Sequence, residues 1–164
     1  MMRNCIGLIG IFTLFFLGLS ALNGAQAQGP EIKVFDGDTF SVSGEVIRLW
    51  GIDAPEYKQP CRRDLAEYAC GVEARSYLLS LIDPATLSCE IKPRAKKETR
   101  VVALCRVDGE DLAQLMISAG WAIDYRFFSK GYYAAAEADA RAARRGLWAG
   151  EFQQPQAWRK ANPR

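Results

Sequence analysis

Asp36, Asp38, Asp53 and Glu56 stand on either side of Arg48 within one short stretch of strand-forming sequence. Carboxylates interrupt such a stretch at a cost in strand propensity, so their presence there needs a reason. Hard divalent cations prefer oxygen ligands, and Asp38, Asp53 and the carbonyl of Ala54 could supply three of them to Ca²⁺. Pro55 drives Ala54 into an extended conformation and so restricts where that carbonyl points. Glu56, just beyond, could take a proton from an attacking water. Arg48 offers a planar donor fork that matches the oxygens of a phosphodiester and the charge that grows on them in a transition state. Each piece taken alone has a plainer account: Asp36-Gly37-Asp38-Thr39 fits a tight turn, and an isolated Arg in a strand is usually solvated.

The rest of the composition narrows the chemistry. The chain has 164 residues, 49% hydrophobic and 24% charged, with no His. It is too apolar for a disordered segment and long enough to close a core. Without His there is no Ser-His-Asp or Cys-His catalysis and no His-ligated zinc or haem. Carboxylates, Arg, Lys, Tyr, Cys or a metal held by oxygen must do the work.

Residues 1–27 read as a cleavable signal segment, with Arg3 ahead of an apolar run from Ile6 to Leu22 and Ala25-Gln26-Ala27 as the cleavage pattern. An uncleaved membrane anchor is the alternative, because the run approaches the ~20 residues of a spanning helix. Cleavage after Ala27 predicts a periplasmic or secreted chain with no stable membrane association, and a monomer is expected. That segment holds Arg3, Cys5 and no acid, so the remainder carries 20 basic against 19 acidic residues and four Cys. Near-zero net charge means that any anion site is a local patch. An even Cys count in an exported chain points to two disulfides. Cys89 and Cys105 lie in two alternating runs, and pairing Arg94 with Arg100 across a five-residue loop sets them opposite each other. Cys61 and Cys70 then close the loop ahead of a helix.

The elements that must position these groups are strands first. Ile32 to Asp36, Phe40 to Val42 and Val46 to Ile52 form an antiparallel meander with a turn at Ser43-Gly44-Glu45. Residues 53 to 70 read as a long connection, followed by a helix from Gly71 to Ile82. Thr86 to Lys92 and Arg100 to Val107 are strands, and Asp108-Gly109 is a turn. Asp111 caps a short helix that Gly120 ends. Tyr132 to Arg145 is a third helix with Glu137 and Arg141 at i,i+4 spacing. Trp148, Phe152 and Trp158 fold the tail back, and Lys160 to Arg164 are loose. This pattern predicts a five-stranded OB-like Greek-key barrel of mainly β, α+β class with about three helices packed on it.

Asp36-Gly37-Asp38-Thr39, Arg48 and Asp53-Ala54-Pro55-Glu56 together resemble the staphylococcal nuclease (thermonuclease) family. The resemblance continues more loosely from Ile32 to Trp148, through Val107-Asp108-Gly109-Glu110-Asp111-Leu112, Ala119-Gly120-Trp121-Ala122 and Arg145-Gly146-Leu147-Trp148. It implies a nuclease domain over residues 28–150 followed by a C-terminal tail, 151–164. It also implies Ca²⁺-dependent hydrolysis of DNA and RNA to 3′-phosphate products. Metal ligation falls on Asp38, Asp53 and Ala54, catalysis on Arg48, Glu56 and Arg100. The family has an Asp-x-Tyr-Gly run ahead of its second catalytic Arg, and here Lys96-Lys97-Glu98-Thr99 precedes Arg100, which keeps the Arg and loses the Asp, Tyr and Gly. Arg94 and Arg106 are substitutes if Arg100 points elsewhere.

Substrate contacts are expected from Tyr125 and Phe127, at the spacing of the family's paired Tyr, and from the basic residues Lys96 and Lys97. Two other functions fit parts of the pattern: a nuclease-like barrel that binds nucleic acid without cutting it, and a secreted interaction module stabilised by calcium. Neither requires Arg48 and Glu56 together.

Overall fold

The computed structural model describes residues 29–163, so the proposed signal segment, 1–27, lies outside the described residues. Strands β1 (Ile32–Val34), β2 (Thr39–Val42) and β3 (Glu45–Leu49) form the expected meander. The β2–β3 turn is two residues long because Val42 faces Glu45, and Ser43 and Gly44 take φ of 49° and 88°. Such a turn matches the right-handed twist of its strands. After the break at Trp50-Gly51 comes β4 (Ile52–Asp53).

Beyond β3 the chain leaves the sheet and returns as β7 (Ser88–Ile91) and β8 (Val101–Val107). Strand β8 runs parallel to β3, with Arg48 beside Val102, and antiparallel to β7. The main sheet therefore has the order β1-β2-β3-β8-β7, and the two-residue β9 (Glu110–Asp111) extends β8. Among the described residues no ladder joins β1 to β7, so hydrogen bonds do not close the five strands into a barrel. Cys89 faces Cys105 in the β7–β8 register, and the two are bonded as expected. So are Cys61 and Cys70. Two disulfides suit an oxidising compartment, and no described helix is long and apolar enough to cross a membrane.

The segment expected as a plain connection contains a hairpin, β5 (Cys61–Arg63) and β6 (Ala66–Tyr68). Its turn, Asp64-Leu65, holds both residues at positive φ without a Gly, and its strands are polar, so neither turn chemistry nor alternation announces it.

Helix α1 (Cys70–Leu81) and helix α2 (Leu112–Ser118) lie where periodicity and capping put them. Leu78 of α1 and Leu112, Met116 and Ile117 of α2 share one core with Phe40 and Leu49 of the sheet. The third expected helix shortens to α4 (Ala134–Ala142). Strand β10 (Ile123–Asp124) and the single turn α3 (Arg126–Ser129) precede it. A 3₁₀ turn, Gly146–Ala149, leads to α5 (Pro155–Ala161). Among the described residues, five α-helices thus replace three. Lys160 and Ala161 are helical, correcting the expectation of a loose end.

Asp111 has two duties. Its Oδ1 accepts from the N–H groups of Ala113 and Gln114 at 2.9 and 3.3 Å, and its Oδ2 accepts from the buried Tyr133 hydroxyl at 3.0 Å. Asp111→Ala removes a cap and orphans a buried hydroxyl, so we expect it to lower unfolding free energy by about 2–3 kcal/mol. Urea unfolding measures this, with Asp111→Asn, which keeps an acceptor, losing less.

Candidate active site

The β2–β3 register sets Thr39 directly across from Arg48, with Asp38 one residue before β2. Pairing of β4 with β10 places Asp53 opposite Ile123. The loop that carries Asp36 and Asp38 packs closely against Ala54, the first residue after β4, and against α1. A Cβ at Gly37 would stand 2.8 Å from the Cβ of Ala54 and 2.9 Å from that of Ala74, so only Gly lets the loop in. Gly71 does the same for Glu56. A Cβ there would lie 1.8 Å from the Glu56 carbonyl oxygen, which puts the start of α1 hard against the backbone of Glu56. That carbonyl also accepts from the N–H of Gln59 at 2.8 Å.

Arg48 joins the two halves. Its Nη1 donates to Asp38 Oδ1 and its Nη2 to Asp53 Oδ1, both at 2.9 Å. Asp38 Oδ1 also accepts from Thr39 Oγ1 at 2.8 Å, and its Oδ2 accepts from the Ala54 N–H at 3.0 Å. Asp36 Oδ1 accepts from the Asp38 N–H at 3.0 Å, so the turn expected of this segment is present as well as the site.

Asp36, Asp38, Asp53 and Glu56 are all buried. Burial, and then the charge of Asp38, pushes the Asp36 carboxyl up to about 8. Burial and Asp38 raise Asp53 as well, against the pull of Arg159 and Arg48. Arg48 is held above its usual value: burial opposes its charge, but Asp38 and Asp53 outweigh that.

A cleft of about 830 Å³ opens over these groups, lined among others by Asp36, Arg48, Glu56, Arg100, Tyr125 and Arg159. Arg100, just ahead of β8, donates from Nη1 to Thr39 Oγ1 at 3.1 Å. Glu98 holds it from the other side, taking Nε at 2.8 Å and Nη2 at 2.7 Å. These bonds to Arg100, and then its charge, keep the Glu98 carboxyl down at about 2 against its partial burial. Arg100 thus stands at the edge of the cleft with Glu98 as its clamp. Arg94 turns instead to the carbonyls of Thr99 and Arg100. Lys97 lines the cleft and Lys96 does not; Phe128 lines it and the exposed Phe127 does not.

Arg159 is the residue that sequence reasoning missed. Its Nη1 donates to Asp53 Oδ1 at 2.9 Å and to Glu56 Oε1 at 3.2 Å, and its Nη2 to Asp53 Oδ2 at 3.1 Å. Pro155 in the first turn of α5 was the available signal for a helix here. Nothing local links positions 106 apart.

Among the described residues no three acidic or Cys side chains are arranged as a ready-made metal cage. The donors nevertheless fit a hard divalent cation. They are oxygens, and even without Asp36 the carboxyl groups of Asp38, Asp53 and Glu56 outnumber the guanidinium groups of Arg48 and Arg159, an imbalance that such an ion would offset.

The family profile described as staphylococcal nuclease homologue matches residues 46–150. A curated relative, the succinoglycan biosynthesis protein ExoI of Rhizobium meliloti (strain 1021), is 34% identical over 120 residues. The match covers 72% of this chain and 63% of that relative, so the chain spans less than two thirds of its length.

Proposed function

The chain belongs to the staphylococcal nuclease homologue family, and from that premise we propose that it is a Ca²⁺-dependent, sugar-nonspecific nuclease acting on DNA and RNA. The observation that carries this is Arg48, which lines the cleft together with Glu56 and Arg100 and bridges the buried Asp38 and Asp53 behind it. Asp38, Asp53 and the Ala54 carbonyl would hold the cation, which when bound would polarise a phosphate oxygen and reverse the local sign for a polyanionic substrate. Glu56 takes the proton of the attacking water. The water oxygen bonds to phosphorus as the bond from phosphorus to the 5′-oxygen breaks; that oxygen takes a proton from solvent and leaves as a 5′-hydroxyl, and the other product keeps a 3′-phosphate. Arg48 and Arg100 bind the phosphoryl oxygens as charge builds on them. Tyr125 offers a face for base stacking, with Phe127 and Phe128 beside it, and Lys96 and Lys97 attract the backbone.

In this proposal residues 1–27 are removed on export, residues 28–150 form the nuclease domain, 151–164 are its tail, and the protein works as a monomer in the periplasm or outside the cell. The test is incubation of the chain from Gln28 with DNA and with RNA, in calcium and then in chelator. Cleavage that needs calcium and leaves 3′-phosphate ends is expected. Tight binding without cleavage would make it a nucleic-acid-binding relative, and calcium stabilisation with no effect on nucleic acid would make it a calcium-held module.

A further inference from the structure

Arg159 lies beyond the residues that the family profile matches, on the last described helix, yet it makes the densest set of contacts to the carboxylates of the site. A carboxylate oxygen has two lone pairs. Asp53 Oδ1 already accepts from both Arg48 and Arg159, and Asp53 Oδ2 accepts from Arg159. An ion that takes Asp53 as a ligand finds no lone pair left on Oδ1 and one on Oδ2, an oxygen already shared with Arg159, and its charge repels both guanidinium groups, so its binding favours the departure of one of them.

The two are not equally free to go. Arg48 is embedded in β3, bonded to Asp38 as well, and its side chain is 13% exposed. Arg159 is 32% exposed and rides on a short helix of seven residues. Polar contacts at its edges tie that segment down. Gln156 Nε2 donates to the Tyr125 hydroxyl at 3.1 Å, Gln59 Nε2 donates to the Gln153 carbonyl at 2.7 Å, and Glu151 bridges to Arg62.

Resting on the nuclease reading of this site, we propose that Arg159 occupies the cation's place: α5 delivers a guanidinium to Asp53 and Glu56, and docking of α5 excludes the metal from Asp53. In the metal-free protein Arg159 holds the two carboxylates in position against their mutual repulsion. Binding of the ion releases it. By reciprocity, the factor by which docked α5 weakens cation binding is the factor by which the bound cation weakens the docking of α5.

Calorimetric titration of Ca²⁺ into the chain from Gln28, without nucleic acid, tests this. Arg159→Gln should bind Ca²⁺ about ten-fold tighter or more, since a competing charge and its bonds to Asp53 are removed. Arg159→Lys, which keeps the charge and loses the fork, should fall between Gln and wild type. A residue that merely supported the fold would move affinity the other way. Hydrogen exchange of residues 155–161 gives a second readout that needs no variant: in wild type, Ca²⁺ should speed it. Unchanged or weaker affinity in Arg159→Gln, exchange that calcium leaves alone or slows, or no calcium binding by either protein would overturn the proposal. Nuclease activity is scored apart. A protein that cuts nucleic acid but shows unaltered affinity in the variant loses this inference and keeps the function, and tighter binding in a protein that cuts nothing does the reverse.

Discussion

Glu56→Gln should lower calcium-dependent cleavage about a thousandfold while leaving the fold in place. Gln has the shape of Glu and retains an oxygen where Arg159 donates at 3.2 Å, but it cannot accept a proton from water. The backbone of Glu56 is fixed by the close approach of Gly71 and by the bond from Gln59, neither of which involves the altered carboxylate. Removing a negative charge from beside Asp36 and Asp53 relieves repulsion and offsets the weakened pair with Arg159, so the metal-free variant should melt within a few degrees of wild type. Single-turnover cleavage rates together with thermal melts check both parts. Cleavage at the wild-type rate would remove Glu56 from water activation.

Arg48→Lys should slow turnover by about 10²–10³. One ammonium cannot reproduce two parallel donors set 2.9 Å from Asp38 and 2.9 Å from Asp53, nor present that fork to a phosphate. From the residue types alone this variant keeps an undisturbed fold. The structure adds a penalty, because Arg48 neutralises two buried carboxylates at once, and loss of one of those pairs should cost the metal-free protein about 1–3 kcal/mol. Saturating calcium should recover part of it. Cleavage kinetics and urea unfolding with and without calcium separate the two effects. Unchanged turnover would return Arg48 to the part of a structural strut between Asp38 and Asp53.

How far the molecule is legible in its sequence depends on how local each determinant is. Asp111 reads as a cap because its partners lie two and three residues on. Cys89 and Cys105 read as a pair because strand alternation on both sides of one polar stretch sets their register. Asp38 and Arg48 read as neighbours because the hairpin that joins their strands sets Thr39 across from Arg48, whereas Asp53 sits on β4, whose partner β10 lies about seventy residues on. The β5–β6 hairpin escapes because its Asp64-Leu65 turn lacks Gly. Spacing alone favours Phe127 over Phe128, and it is Phe128 that lines the cleft.

By itself, then, the order of residues determined the strands of the meander and both disulfides, since each rests on turns, periodicity or register within one or two neighbouring elements. Only the tertiary structure decided that Glu98 clamps Arg100 and that Arg159 reaches Asp53 and Glu56 from the far end of the chain. Those contacts depend on where whole elements come to rest once their apolar faces are buried, and no short-range preference carries that information.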